Sequence, residues 1–214
     1  MMIKNLIELY ELRKNEIKKR LEEFKDVLSQ PDEKLFSEIA FCILTPQSKA
    51  VTSWSAIQAL ERNNLLLKGT SEQIRPFLQA VRFGEKKSKY LIEARKLFTE
   101  NGKINIKKKL LEVKNNPSLL REWLLKNVKG LGMKETSHVI RNIGLSNNQL
   151  AILDVHILKN LKEFDIINEI PKYLTKKIYL EIETKMKKFA DRLGITLDEL
   201  DILLWSKETG MIFK

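Results

Sequence analysis

Apolar residues recur with helical spacing along nearly the whole chain. Leu6, Leu9, Ile17, Leu21, Phe24 and Leu28, with Arg13 in register, trace one face of a long first segment that stops before Pro31. Asn116 and Pro117 read as an N-cap and a first helical residue, after which Leu120, Trp123, Leu124 and Val128 fall on one side. A segment opening at Asp154 turns Val155, Leu158, Leu161 and Phe164 inward. The next carries Ile178, Ile182, Met186, Phe189 and Leu193 before Gly194 ends it. Thr196 and Glu199 form a capping box for a last helix bearing Leu200, Leu203 and Leu204. No alternating strand pattern or hairpin turn competes, and no internal repeat, low-complexity tract or long linker interrupts the series. The fold class predicted is all-α.

Composition narrows the function classes. The longest unbroken apolar run, "IAFCIL" from Ile39 to Leu44, is far short of the roughly 20 residues a membrane span needs. The opening "MMIKNLIELYELRK" shows no secretory pattern, so an intracellular location, cytoplasm or nucleoid, is expected. A single cysteine, Cys42, excludes an intrachain disulfide and any cysteine-built metal or iron–sulfur site. Lys and Arg number 39 against 28 Asp and Glu, a net charge of +11 that favours a polyanionic partner. The clusters "EKKSKY" and "KINIKKKL" also carry apolar positions at helical spacing, so they read first as solvated helix faces.

One stretch breaks the usual charge rule. In "VKGLGMKETSHVIRNIG", Val128 to Gly144, Lys134 stands in the first turn of a helix, where the partial positive charge of the helix end favours Asp or Glu. A P-loop is excluded, because Gly130, Gly132 and Lys134 have the wrong spacing and no strand precedes them. A tight helix-to-helix turn fits better. Its glycines allow close approach to a phosphate, and the free N–H groups of the following helix point outward, so such a turn grips a DNA backbone without reading its sequence.

"VKGLGMK", followed 20 residues after its lysine by the Asp154 of "AILDVHIL", is similar to the helix-hairpin-helix and Gly-x-Asp-type signature of the endonuclease III superfamily of DNA glycosylases. "KGLGMKETSHVIRNIG", "DVHIL", "LDELDILLW" and a terminal lysine together resemble the compact type 2 8-oxoguanine DNA glycosylase/lyases, from "FCILTPQSKA" to Lys214. The resemblance implies two helical lobes with DNA across their cleft. Residues 1–30 and 150–214 would form one lobe and residues 31–149 the other, bridged by the hairpin at about 117–144. It further implies double-stranded DNA containing 8-oxoguanine as partner, action as a monomer, no membrane, and no required cofactor. At most a monovalent cation would sit where the hairpin meets phosphate.

The implied chemistry is sound in its own right. A neutral amine can attack the anomeric carbon of a damaged nucleotide and displace the base, and the Schiff base so formed permits β-elimination of the 3′ phosphate. The family's nucleophile maps to Lys134. A helix N-terminus and partial burial both disfavour an ammonium there, which would explain how this lysine is tolerated. The family's carboxylate maps to Asp154, which would stabilise positive charge growing on the sugar and help manage the lysine's proton. Taken singly, an Asp before an apolar stripe is also an ordinary N-cap, and a Lys after a glycine turn is also a phosphate contact.

The rest of the site follows from the same resemblance. The loop "LTPQSKA" maps a gap-filling side chain onto Gln47, although a capping loop would look alike. Trp205 and Phe83 match aromatic positions around the flipped purine, and Lys214 would fold into the base pocket. 8-Oxoguanine differs from guanine by a donor at N7 and a carbonyl at C8, so an acceptor facing N7 rejects guanine. Gly130 and Gly132 are assigned to the DNA backbone. His138, on the same helical side as Lys134, and His156 read as structural, with no metal site. Asp201 either buttresses the pocket or is a solvated charge. Two alternatives stand beside this assignment: an endonuclease III-like enzyme for oxidised pyrimidines without the cluster, and a non-catalytic helix-hairpin-helix DNA-binding module.

Overall fold

The computed structural model describes residues 2–111 and 116–214; Met1 of the opening stretch and residues 112–115 of the middle segment lie outside them. Twelve α-helices account for most of the described chain. They are α1 (Met2–Val27), α2 (Asp32–Leu44), α3 (Ala50–Arg62), the short α4 (Leu65–Lys68) and α5 (Ser71–Ile74), α6 (Gly84–Phe98), α7 (Ile106–Leu111), α8 (Pro117–Asn127), α9 (Met133–Asn142), α10 (Val155–Glu163), α11 (Lys176–Leu193) and α12 (Leu197–Thr209). None is long and apolar enough to cross a membrane.

The caps show why these segments begin where they do. Asn116 accepts from the Leu119 N–H ahead of Pro117, Thr196 and Glu199 close their box, and Gly194 takes the left-handed conformation that ends α11. Two details depart from the pattern read along the chain. Val155 is 74 % exposed, because the buried stripe of α10 runs through Ile157, Leu158, Leu161 and Phe164 and leaves its first residue over open space. A two-residue antiparallel ladder, Thr99–Glu100 with Lys103–Ile104, is closed by Asn101 and Gly102, both at positive φ. Asn-Gly is the strongest short hairpin signal, but strands this brief carry no alternation to reveal them.

Two hydrophobic cores form. One gathers α2, α3, α6, α8 and α9 around Phe36, Ile39, Phe41 and Ile43; α2 is buried along nearly its whole length, which explains the unbroken apolar run. The other sets Leu6, Tyr10, Ile17 and Phe24 of α1 against α10, α11 and α12. Residues from opposite ends of the chain are tied there: the Tyr10 hydroxyl donates to Glu199 at 2.9 Å, and Arg13 donates to the Ser206 carbonyl.

A buried ion pair connects the two cores. Arg121, on α8, donates to both carboxylate oxygens of Glu183, on α11, at 2.7 and 3.0 Å, and Glu183 also accepts from the Ala151 N–H at 2.8 Å. Removing one partner strands a buried charge. Glu183→Leu is therefore expected to cost about 3–5 kcal/mol of stability, read as a lowered midpoint in chemical denaturation.

Candidate active site

A cleft of about 780 Å³ opens beside the N-termini of α9 and α10. Of the residues singled out from the sequence, Gln47, Lys134, Asp154, Trp205 and Lys214 line it; Phe83, Gly130 and Gly132 do not. His138, His156 and Asp201 line it as well. Five separate segments of chain thus converge on one space.

The hairpin explains the odd lysine. Gly130 has φ +89°, and a Cβ there would come within 2.7 Å of the Tyr90 ring, so only glycine fits between α8 and α9. Gly132 is different. Its backbone is extended, and its N–H is taken at 3.1 Å by the carboxylate of Glu135, which closes the first turn of α9. Glu135 therefore supplies the acidic group that Lys134 displaces from its expected place. The other oxygen of Glu135 lies 3.0 Å from the Lys134 Nζ, and the lysine side chain is 22 % exposed. A carboxylate at this distance is placed to accept a proton from the amine. Glu135 was missed from sequence because a capping acid three residues after Gly132 reads as helix chemistry alone.

Asp154 is an N-cap with capacity to spare. Its Oδ1 accepts from the His156 and Ile157 N–H groups at 2.9 and 2.8 Å, starting α10 at the cleft wall. Both capping bonds use one oxygen, so the carboxylate can serve the helix and present charge to the cleft together.

The wall opposite is a buried polar network. Lys214 reaches Glu38 and lies 3.7 Å from the centroid of the Trp54 ring, and Glu38 in turn accepts from Asn142 at 3.0 Å. Glu38 and Trp54 give no local sequence signal, since each sits at ordinary helical spacing on α2 or α3. Arg141 pairs with Asp201 at 2.7 Å; burial nonetheless pushes the Asp201 carboxyl up to about 7, against the pull of Arg141. Asp201 is thus a buried partner and not a solvated charge. His138 packs edge-on to Phe41 at 5.4 Å. Burial first, then Arg141 and Lys134, hold the imidazole well below its usual range and hence neutral. The Lys214 main chain lies beside it, yet neither ring nitrogen makes a hydrogen bond of ordinary geometry.

Trp205, from α12, is half-buried at the cleft, whereas Phe83 lies elsewhere. Phe83 precedes α6 at φ +60°, is 50 % exposed, and has the Arg82 guanidinium 5.1 Å over its ring. Cys42 offers no competing nucleophile, because it is fully buried and burial raises its thiol, so the unreactive protonated form persists.

A model of the family described as 8-oxoguanine DNA glycosylase matches residues 17–195. An 8-oxoguanine DNA glycosylase/AP lyase of Fusobacterium nucleatum is 45% identical over 96% of this chain and 94% of its own length. Its counterpart from Methanocaldococcus jannaschii is 36% identical over 95% and 96%. The crystal structure of a M. jannaschii 8-oxoguanine glycosylase/lyase with a 15mer DNA containing 8-oxoguanine superposes with a TM-score of 0.88, at 34% identity and full coverage of both chains. The structure of the Thermotoga maritima 8-oxoguanine DNA glycosylase gives 0.83 at 33% identity, covering all of this chain and 98% of that one. With its hairpin, cleft and full-length likeness in agreement, this chain belongs to the 8-oxoguanine DNA glycosylase family.

Proposed function

We propose that the protein excises 8-oxoguanine from double-stranded DNA and then cleaves the abasic strand. The observation that carries this reading is the opening of Lys134 and Asp154, from two different helix starts, onto one cleft large enough for an extruded nucleotide. The neutral Lys134 amine attacks C1′ of the sugar, the glycosidic bond breaks, and the base leaves with the bonding pair and takes up a proton. Asp154 stabilises the positive charge that develops on the sugar as the base departs. Loss of one proton from the attached amine, and opening of the ring with O4′ taking up a proton, leave a protonated Schiff base; removal of a C2′ proton then expels the 3′ phosphate by β-elimination. Glu135, 3.0 Å from the Lys134 Nζ, and Asp154 are placed to pass protons in this site, whereas Asp201 is held by Arg141.

The base occupies the wall formed by Trp205, His138 and Lys214, and Gln47 enters the space the base vacates. The free N–H groups at the start of α9 hold phosphate, and Gly130 serves this contact by its conformation. The Gly132 N–H, held by Glu135, needs a rearrangement to take part. The two cores correspond to two lobes astride the DNA, residues 1–30 with 150–214 and residues 31–149. The protein works inside the cell, as a monomer, without a required cofactor.

A lesion panel tests the proposal. Duplexes carrying 8-oxoguanine, an oxidised pyrimidine or no lesion are incubated with the protein, and strand cleavage and borohydride trapping are scored. Cleavage and trapping are expected with 8-oxoguanine only. Preference for the pyrimidine lesion would assign an endonuclease III-like activity, and salt-sensitive binding without cleavage a simple DNA-binding module.

A further inference from the structure

Lys87 has no place in the chemistry above, yet it is among the most deeply set cations of the molecule, 4 % exposed. It stands on α6, one turn from the start of that helix, and reaches across to the loop after α2. Its Nζ donates to the Leu44 carbonyl at 2.7 Å, to the Pro46 carbonyl at 2.7 Å and to the Ser48 hydroxyl oxygen at 3.2 Å. The ammonium's three donors thus find three acceptors, on both sides of Gln47. The same turn is tied twice more: the Ser53 hydroxyl donates to the Leu44 carbonyl at 3.2 Å, and the Arg82 N–H donates to Ser48 at 2.9 Å.

Gln47 itself has φ +55°, a conformation that side chains other than glycine adopt at a cost. Such a turn persists only where its surroundings hold it, and the carbonyls that end α2 would otherwise prefer water. Burial disfavours the Lys87 ammonium and brings it down to about 8, with Glu135 drawing it up and Lys134 pressing it down. A buried lysine kept under that penalty, with every donor used on one turn, is a fastener for that turn.

We propose that Lys87 is a positioning residue that locks the Thr45–Ser48 turn, so that Gln47 is presented to the DNA ready to fill the space left by the extruded base. The inference rests on the excision reading above and adds the element that makes insertion productive. A loosened turn would leave Gln47 able to bind but slow to insert, and small misplacements of a positioning group have large effects on rate.

The test uses the whole protein in single-turnover excision of 8-oxoguanine from a duplex, with base extrusion followed by a fluorescent 2-aminopurine beside the lesion. Lys87→Met removes the three bonds while keeping an unbranched stem of similar bulk. It is expected to slow both extrusion and excision about ten-fold, while cleavage of a duplex with a ready-made abasic site falls less. Ser48→Ala, which removes one Lys87 acceptor and keeps the two carbonyl bonds, should act the same way but more weakly, and it carries the test if Lys87→Met fails to fold. If Lys87 acts through Gln47, the double variant Lys87→Met/Gln47→Ala is no slower than Gln47→Ala alone. Independent multiplication of the two losses, or wild-type extrusion in Lys87→Met, overturns the inference. Failure of the wild type to excise 8-oxoguanine would instead overturn the functional reading.

Discussion

Lys134→Gln is expected to lose borohydride trapping completely and to lower excision with strand cleavage by about 10³-fold or more, because the amine that forms the Schiff base is removed. The substitution should leave the fold intact. Lys134 sits at the helix start, partly exposed, and among the described residues its ion pair is to Glu135, which keeps its separate bond to the Gly132 N–H. Glutamine is one bond shorter than lysine, stays polar, and removes the charge and the nucleophile. Duplex affinity should therefore stay within a few-fold of wild type, measured by fluorescence anisotropy on lesion DNA. Normal trapping by the variant would remove Lys134 from the mechanism, and attention would pass to another lysine of the cleft wall, Lys214 first.

Asp154→Asn should separate the two tasks of this residue. Asparagine caps a helix about as well as aspartate, so the bonds to the His156 and Ile157 N–H groups survive and α10 still starts at the cleft. What is lost is the negative charge. Favourable interaction with the helix end falls by about 0.3–1 kcal/mol, too little to unfold the protein. Stabilisation of the cationic sugar is lost in full, and excision is expected to fall by about 10²–10⁴-fold. The lyase step on a preformed abasic site should fall less, since no base has to leave there through a cationic sugar. Comparing single-turnover rates on 8-oxoguanine and abasic duplexes reads this directly. Asp154→Ala removes cap and charge together and should also lower the melting temperature. Near-wild-type excision by Asp154→Asn, with activity and melting temperature falling together in Asp154→Ala, would reduce Asp154 to a cap.

Most of the fold was legible because helices are local. The caps at Asn116 and Thr196, the stop at Gly194 and the stripes on α1, α8 and α11 each depend on residues within two turns of one another. The hairpin was legible for the same reason: Gly130 answers a tight turn at positive φ, and Lys134 violates a local charge rule, whereas the Tyr90 ring against Gly130 is a contact only packing reveals. Where local reasoning went astray, an outside partner or its absence decided. Val155 fits the apolar stripe of α10 but has nothing to pack against. Gly132 has an available N–H on paper, and Glu135 takes it. Asp201 reads equally well as a surface charge until Arg141, 60 residues earlier, is found 2.7 Å away.

The helical class and the helix-hairpin-helix are written in spacings shorter than one helical segment, and the resemblance to a known family implies the roles of Lys134 and Asp154. Tertiary packing chose the partners of the buried charges: Lys214 against Glu38 and Trp54, Arg141 with Asp201, Glu183 joining the two cores through Arg121, and Lys87 beneath the Gln47 turn. The physical reason is the same in every case. A buried charge must find its partner when water is removed, and that partner is chosen by how distant helices pack, which no local pattern of residues records.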